Sequence, residues 1–268
     1  MKITSRDNSL LREARAVRDG KVDHLIFVEG LRLCEEALQS GLRIESVIYS
    51  EEIAEKERAA RFLEEVRSIC DRLASVSEKL LASISYTKTP QGIILLAGRP
   101  QQGRATLESQ SQQSALLVIL HGINNPVNVG AIVRSAEAAG ATGMISTAHT
   151  ADPYSPKALR GAMGSAFRLA LWHGASYADA VAWCHDRGIR TICADVKAAS
   201  LHTAIDWTLP RALILGPEST GLAAEETALA GETVKIEMHG QVESLNVGVA
   251  AAVLLYEAAR QRAISGHR

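Results

Sequence analysis

ALLVILHGINNPVNVGAIVRSAEAAGATGMIST, residues 115–147, opens on an unbroken apolar run, breaks at His121 and Gly122, turns through Asn124, Asn125 and Pro126, and resumes with apolar residues at helical spacing. A continuous apolar run of this length suits a strand covered on both faces, as in a parallel sheet. Val129, Ile132, Val133 and Ala136 then mark the inner face of a helix, with the asparagines and Pro126 as its turn and cap. GMIST, from 143, reads as the next strand, so the stretch predicts a βαβ unit. Periodicity alone puts Arg134 on the solvated side of that helix.

Toward the carboxyl terminus the pattern repeats. IRTICAD (from 189), RALILG (from 211) and TVKIEM (from 233) are further strand candidates separated by helical segments, which makes the second half an open α/β domain. Such sheets bind ligands beyond the carboxyl ends of their strands. Two more glycine-bearing segments stand there: LILGPESTGL (213–222), with Gly216, Glu218 and Gly221, and IEMHGQVESLNVGVAAA (236–252), with Gly240 as the turn and Ser244 as a candidate cap. Plain tight turns would explain the glycines equally well, and the absence of G-x-G-x-x-G argues against a nicotinamide site. The last helix, expected over 244–262, is apolar all round in its first turns, so it needs a second covering surface besides the sheet. A second subunit is one such surface.

Toward the amino terminus, residues 99–114 (RPQQGRATLESQSQQS) carry Gln, Ser, Gly and Pro with almost no large apolar residues, as a linker does. The predicted organisation is therefore a small α/β domain over 1–98, a linker over 99–114 and a parallel-sheet domain over 115–268. In the first domain HLIFV (24), IESVIY (44) and GIILLAG (92) are the strand candidates. Glu55 to Cys70 reads as a surface helix burying Ala59, Phe62, Leu63, Val66 and Ile69. The opening helix carries Arg6, Arg12, Arg15, Arg18 and Lys21, offset by Asp7, Glu13 and Asp19.

Composition narrows the classes further. The chain has 268 residues, 47% hydrophobic and 22% charged, an ordinary globular balance that excludes collagen-like, coiled-coil and disordered proteins. A formal net charge of -1 gives no global basic footprint, so any RNA contact must come from local patches. Cys34, Cys70, Cys184 and Cys193 show no C-x-x-C spacing and read as buried free thiols, with no metal site and no disulfide framework expected. There is no long uncharged apolar run, and the opening MKITSRDN lacks the apolar segment of a signal peptide, so the expected setting is cytoplasmic, without a membrane.

Taken together, the three segments resemble a specific family. N-x-x-x-N-x-G-x-x-x-R (Asn124, Asn128, Gly130, Arg134), L-G-x-E-x-x-G and I-x-M-x-G-x-x-x-S-L-N-V match, in order and spacing, the motifs of the SpoU or TrmH family of RNA ribose 2′-O-methyltransferases, of the SPOUT class. The likeness covers 116–262. The first hundred residues, including TKTPQGIILLA at 87–97, resemble the small RNA-binding domain that precedes the ribosomal RNA members. The resemblance implies a parallel sheet with a trefoil knot, a homodimer, and S-adenosylmethionine held against Gly216, Ile236, Met238, Gly240 and Leu245. It places Arg134, Asn128, Glu218, Ser244 and Asn246 at the polar active-site positions. It also turns the segment 152–168, with Lys157, Arg160 and Arg168, toward substrate RNA, and Arg12 and Arg15 offer a second RNA face. Glu237 stands where the family usually has proline, and His239 follows Met238.

The expected activity is S-adenosylmethionine-dependent methylation of a ribose 2′-hydroxyl, in ribosomal rather than transfer RNA because of the first domain. The competing readings are a transfer RNA enzyme of the same chemistry and a catalytically silent RNA-binding or ribosome-assembly factor. A nucleotide-binding oxidoreductase is a more distant rival, since the glycine fingerprint is missing.

Overall fold

A computed structural model of the chain describes residues 1–109 and 115–266, which divide into two units. The first unit comprises Met1–Pro100 together with Tyr154–Arg168, and the second comprises Gln101–Pro153 with Leu169–Arg268.

The first unit is built on β1 (Leu25–Glu29), β2 (Ile44–Ser50), β3 (Leu73–Val76) and β4 (Ile93–Gly98), in the order β1-β4-β2-β3. β4 runs antiparallel to both of its neighbours, and β2 and β3 are parallel. Its own helices are α1 (Ser9–Arg18), α2 (Leu31–Gln39), α3 (Glu51–Ala54), α4 (Glu57–Arg67) and α5 (Glu78–Ile84). Leu10, Leu11, Ala14 and Val17 of α1 pack with Leu81 and Ile84 of α5 onto Leu25, Phe27, Ile48 and Leu96. α4 buries Ala59, Phe62, Leu63 and Val66 as the stripe predicts, but it ends at Arg67 and leaves Ile69 exposed.

The second unit contains α6 (Arg104–Glu108), β5 (Leu116–Leu120), α7 (Pro126–Ala138) and β6 (Gly143–Thr147). Next in the chain come α8 (Pro156–Ala162) and α9 (Ser165–Arg168), which pack with the first unit. The second unit resumes with β7 (Leu171–Ala175), α10 (Tyr177–His185), β8 (Arg190–Ala194), β9 (Ser200–Leu201), β10 (Arg211–Leu215), α11 (Ala224–Leu229), β11 (Glu232–Lys235) and α12 (Val247–Ile264). Seven strands form one sheet in the order β7-β6-β5-β10-β8-β11-β9, and every pairing in it is parallel. α10 covers one face, packing Tyr177, Ala180, Val181, Trp183 and Cys184 with Ile119, Ile145 and Ile214. The alternate residues of β5 face the opposite side, and α7 and α12 pack against each other. All five residues of β5 are buried, as its unbroken apolar sequence requires.

The segment expected as linker is not uniformly without structure. Arg104–Glu108 is helical, Gly103 donates its N–H to Leu171 O at 2.9 Å, and Leu107 is buried, while 110–114 lie outside the described residues. The four cysteines are buried and free. Burial pushes the thiols of Cys34, Cys184 and Cys193 up, Cys184 to about 12 and Cys193 to about 11, so these three are inert hydrophobes at neutral pH. No described helix is long and apolar enough to cross a membrane.

Candidate functional site

The three motif segments all lie beyond strand ends on the carboxyl side of the second unit's sheet. β5 ends at Leu120, and Gly122 takes φ +65°, where a Cβ would come within 2.9 Å of Pro217 Cγ, so the first and second loops touch. The Asn125 side chain then caps α7 by accepting from Val127 N at 3.0 Å, with Pro126 in the first turn. Asn128, one turn inside, is only 7% exposed.

Burying an amide demands partners, and Asn128 finds them in the other two loops. Its Nδ2 donates to Glu218 Oε1 at 2.7 Å, and its Oδ1 accepts from Asn246 Nδ2 at 3.3 Å. Asn246 Oδ1 in turn accepts from Gly248 N at 2.9 Å and Val249 N at 3.4 Å. The polarity of this chain is dictated at both ends: a carboxylate only accepts, a backbone N–H only donates, and each amide between them is therefore oriented one way. One residue from each motif is thus joined through side chains alone.

Topology explains why the third loop passes here. β11 is separated from β5 by β10 and β8, a span of about 14 Å at normal strand spacing, yet α12 packs on α7, which follows β5. Residues 236–246 must therefore cross back over the carboxyl ends of the intervening strands. Among the described residues no backbone group of 236–245 bonds to another backbone group. Ile236, Met238 and Leu245 are half-buried, and Gly240 is exposed with nothing within 4 Å of the position a Cβ would take. Unpaired backbone donors and acceptors beside half-buried apolar side chains fit an adenosine, which presents hydrogen-bonding edges on an apolar ring.

Several expected positions shift in meaning. The final helix begins at Val247, and its cap is Asn246; Ser244 is exposed in the loop before it and caps nothing. Gly216 serves the fold as well as any ligand, since a Cβ there would meet Leu222 Cδ2 and Cγ at 2.9 Å and Leu222 N at 3.0 Å. Arg134 is exposed and has no hydrogen bond or ion pair among the described residues. Glu237 and His239 are exposed, with Glu237 Oε2 3.6 Å from His239 Nε2. No cluster with metal-ligand chemistry occurs among the described residues.

A second network was not singled out from the sequence. His121 Nε2 meets Glu226 Oε1 at 2.9 Å, its Nδ1 meets Thr147 Oγ1 at 3.1 Å, and its ring lies 4.6 Å from that of Tyr177, whose hydroxyl donates to Glu226 O at 2.9 Å. The Ala223 N–H and then the His121 ring hold Glu226 below the usual carboxylate range. These contacts pin the start of α11, and with it the end of the 216–223 loop, to β5 and β6. A histidine directly after a buried strand is the only local signal, and periodicity does not reveal a partner 105 residues away.

The expected RNA-facing residues all fall in the first unit. Lys157 and Arg160 are exposed on α8, whereas Arg168 is tied to Glu36 at 2.6 Å. Arg12 is exposed on α1, and Arg15 donates to Arg6 O at 2.8 Å.

Comparison with known proteins agrees with this arrangement. Residues 115–256 match the profile of the SpoU rRNA Methylase family, and residues 11–95 match an MRM3-like substrate binding domain. An uncharacterised tRNA/rRNA methyltransferase of Synechocystis sp. is 32% identical, with 97% of this chain and 94% of that protein covered. The 23S rRNA (uridine(2479)-2′-O)-methyltransferase of Streptomyces viridochromogenes is 30% identical over 90% of this chain and 84% of its own. The crystal structure of the SpoU methyltransferase AviRb from Streptomyces viridochromogenes, in complex with the cofactor AdoMet, superposes with a TM-score of 0.85 at 27% identity, covering 96% of this chain and 98% of that one.

Proposed function

Because the chain belongs to the SpoU rRNA methylase family, we propose that it transfers a methyl group from S-adenosylmethionine to a ribose 2′-hydroxyl of ribosomal RNA, with the three motif loops of its second unit as the active site. The observation that carries this reading is the hydrogen-bond chain from Glu218 through Asn128 to Asn246, which gathers the three loops at one end of the sheet.

When bound, S-adenosylmethionine supplies a methyl group already activated on a sulfonium. The chain's own task is then to position the ribose and manage charge on its oxygen. The backbone at Gly216, Ile236, Met238, Gly240 and Leu245 holds the adenosine. Asn128 and Asn246 are positioning residues, their side chains being committed to Glu218 and to the start of α12. Ser244, exposed in the same loop, faces the ribose. Arg134 stabilises the charge developing on the 2′-oxygen. A guanidinium offers donors and no acceptor, so it acts by electrostatics rather than as a base. The first unit holds the RNA, with Lys157, Arg160 and Arg12 as exposed cations for phosphate.

The protein works as a homodimer in the cytoplasm, where ribosomal RNA is made. Val249 and Tyr256, 50% and 55% exposed, and the half-buried Val253 lie along one stripe of α12, with Val127 of α7 44% exposed. An apolar stripe of this kind suits a symmetric helix contact. The return of 236–246 across the sheet is the segment that threads the family's knot.

Incubating the protein with radiolabelled S-adenosylmethionine and ribosomal RNA, then mapping 2′-O-methyl groups, tests the activity. Transfer of label to a ribose hydroxyl is expected; label on a base, or none while cofactor binds, would overturn it.

A further inference from the structure

TKTPQG, residues 87–92, is too polar for a core element and too ordered for a plain connection. The reason is Glu29, the last residue of β1. Its carboxylate accepts from Tyr86 N at 2.8 Å, Thr87 N at 3.3 Å and Thr87 Oγ1 at 2.6 Å, and also from Ser85 Oγ. Thr87 Oγ1 is further placed 3.1 Å from Thr89 O, and Arg18 donates to Ser85 O at 3.3 Å. On the far side the loop abuts the start of α2, where a Cβ on Gly30 (φ +101°) would collide with Gln91 Oε1.

This rigid loop presents an odd surface. Tyr86 is 43% exposed, and Lys88 is exposed beside it. Arg32, two residues past Gly30, is exposed as well. Among the described residues the Tyr86 hydroxyl, Lys88 and Arg32 have no hydrogen-bond or ion-pair partner, whereas the Glu29 carboxylate is taken up by the loop itself. An exposed aromatic side chain two residues from one free cation, on a loop that abuts the start of the helix carrying the other and is held by a half-buried acid, offers stacking for an exposed base and charge for neighbouring phosphates. A duplex, whose bases are already stacked, cannot use the ring.

We propose that the loop at residues 85–91, with Arg32, is a binding platform for single-stranded RNA, in which Tyr86 stacks on an unpaired base and Lys88 and Arg32 contact the flanking phosphates. The proposal rests on the reading of the chain as an RNA methyltransferase and assigns to its first unit a preference for unpaired nucleotides.

The test uses the full chain, with a fluorescently labelled oligouridine and a fully paired RNA duplex as separate probes. Tyr86→Ala should weaken oligouridine binding by roughly tenfold, the scale of one lost base–aromatic stack, while Tyr86→Phe stays near the parent. Lys88→Gln should lower the salt slope of oligouridine binding by about 0.7. Duplex binding by the Tyr86 variants, and the melting curve and calorimetric S-adenosylmethionine binding of every variant, should be unchanged. Parent-like oligouridine binding by Tyr86→Ala, or an equal loss on the duplex, would overturn the platform and leave the methyltransferase reading intact. A parent protein that binds neither RNA would overturn the platform alone, since the methyltransferase reading is decided by label transfer to ribosomal RNA.

Discussion

Asn246 does two things that substitution can separate. Its Oδ1 caps α12, and its Nδ2 ties that helix to Asn128. Replacing a cap by alanine costs about 1 kcal/mol. Removing the Nδ2 donor leaves the Oδ1 of a 7%-exposed Asn128 without its partner, a loss of about 1 kcal/mol for a neutral acceptor at the end of a long bond. Asn246→Ala should therefore destabilise the second unit by about 2 kcal/mol. Asn246→Ser keeps a capping oxygen but is too short to reach Asn128, so it should cost about 1 kcal/mol. Trp172, Trp183 and Trp207 all lie in the second unit, and they are the chain's 3 tryptophans. Intrinsic fluorescence in urea therefore reports that unit alone. Cofactor binding should sort the variants differently: both lack the tie between the first and third loops, so both should bind S-adenosylmethionine several-fold more weakly in calorimetry. Two results would refute the reasoning: serine as destabilising as alanine, or serine with undiminished cofactor affinity.

Arg134→Ala should lower the single-turnover methylation rate by about 100-fold with an unchanged melting curve, and Arg134→Lys should stay poor because an ammonium lacks the planar fork; near-normal rates would remove Arg134 from the mechanism. Gly216→Ala should both destabilise the fold and weaken cofactor binding, while adding Leu222→Ala, which removes the side-chain part of the clash but leaves Leu222 N at 3.0 Å, should recover the melting curve only in part and the affinity not at all; recovery of both would make the glycine purely structural. Arg260, then Gln261, hold Glu257 down to about 2 against burial that opposes them. A depressed carboxylate stabilises the fold above its unfolded value near 4.5 and loses that contribution as pH falls toward 2. Glu257→Gln should accordingly flatten the acid limb of a urea-unfolding series between those limits, and an unaltered limb would assign the acid sensitivity elsewhere.

The strands that sequence revealed are those with continuous or alternating apolar residues: β1, β2, β4, β5, β6, β8, β10 and β11. Those it concealed have a physical reason. β3 is only four residues, LASV, too short to show a pattern, and β9 is two residues long. β7, LWHGA, sits at the sheet edge with Gly174 at φ +83° and an irregular register against β6, so neither burial nor alternation marks it. In the site, spacing identified the motif residues but could not say which of them touch. Ser244 and Asn246 are both plausible caps by residue type, and only the position of the first helical turn decides for Asn246. The contacts of Asn128 and His121 join residues about a hundred positions apart, beyond the reach of any local periodicity.

Residues 154–168 carry the same lesson at the scale of a domain. Read in order, they lie between the first two motifs and belong with the second half; by packing they belong with the first. Tyr154, Ala158, Leu159, Ala162 and Ala166 are buried there, α8 packs on β1, and the segment is further tied by Arg168 to Glu36 and by Arg99 stacked 4.9 Å over the Tyr154 ring. Gly164, at φ +95°, runs so close to Glu36 that a Cβ would meet its Oε2 at 2.6 Å. A chain cut near Ala105 would keep this apolar face and lose what covers it. At about 25 cal/mol per Å² of apolar surface such exposure favours aggregation, so failure of that fragment to bind cofactor would say nothing about the motif loops. A fragment in which 154–168 is also replaced by a short polar connection removes the uncovered face. That form asks whether the motif loops suffice for cofactor binding without the first unit.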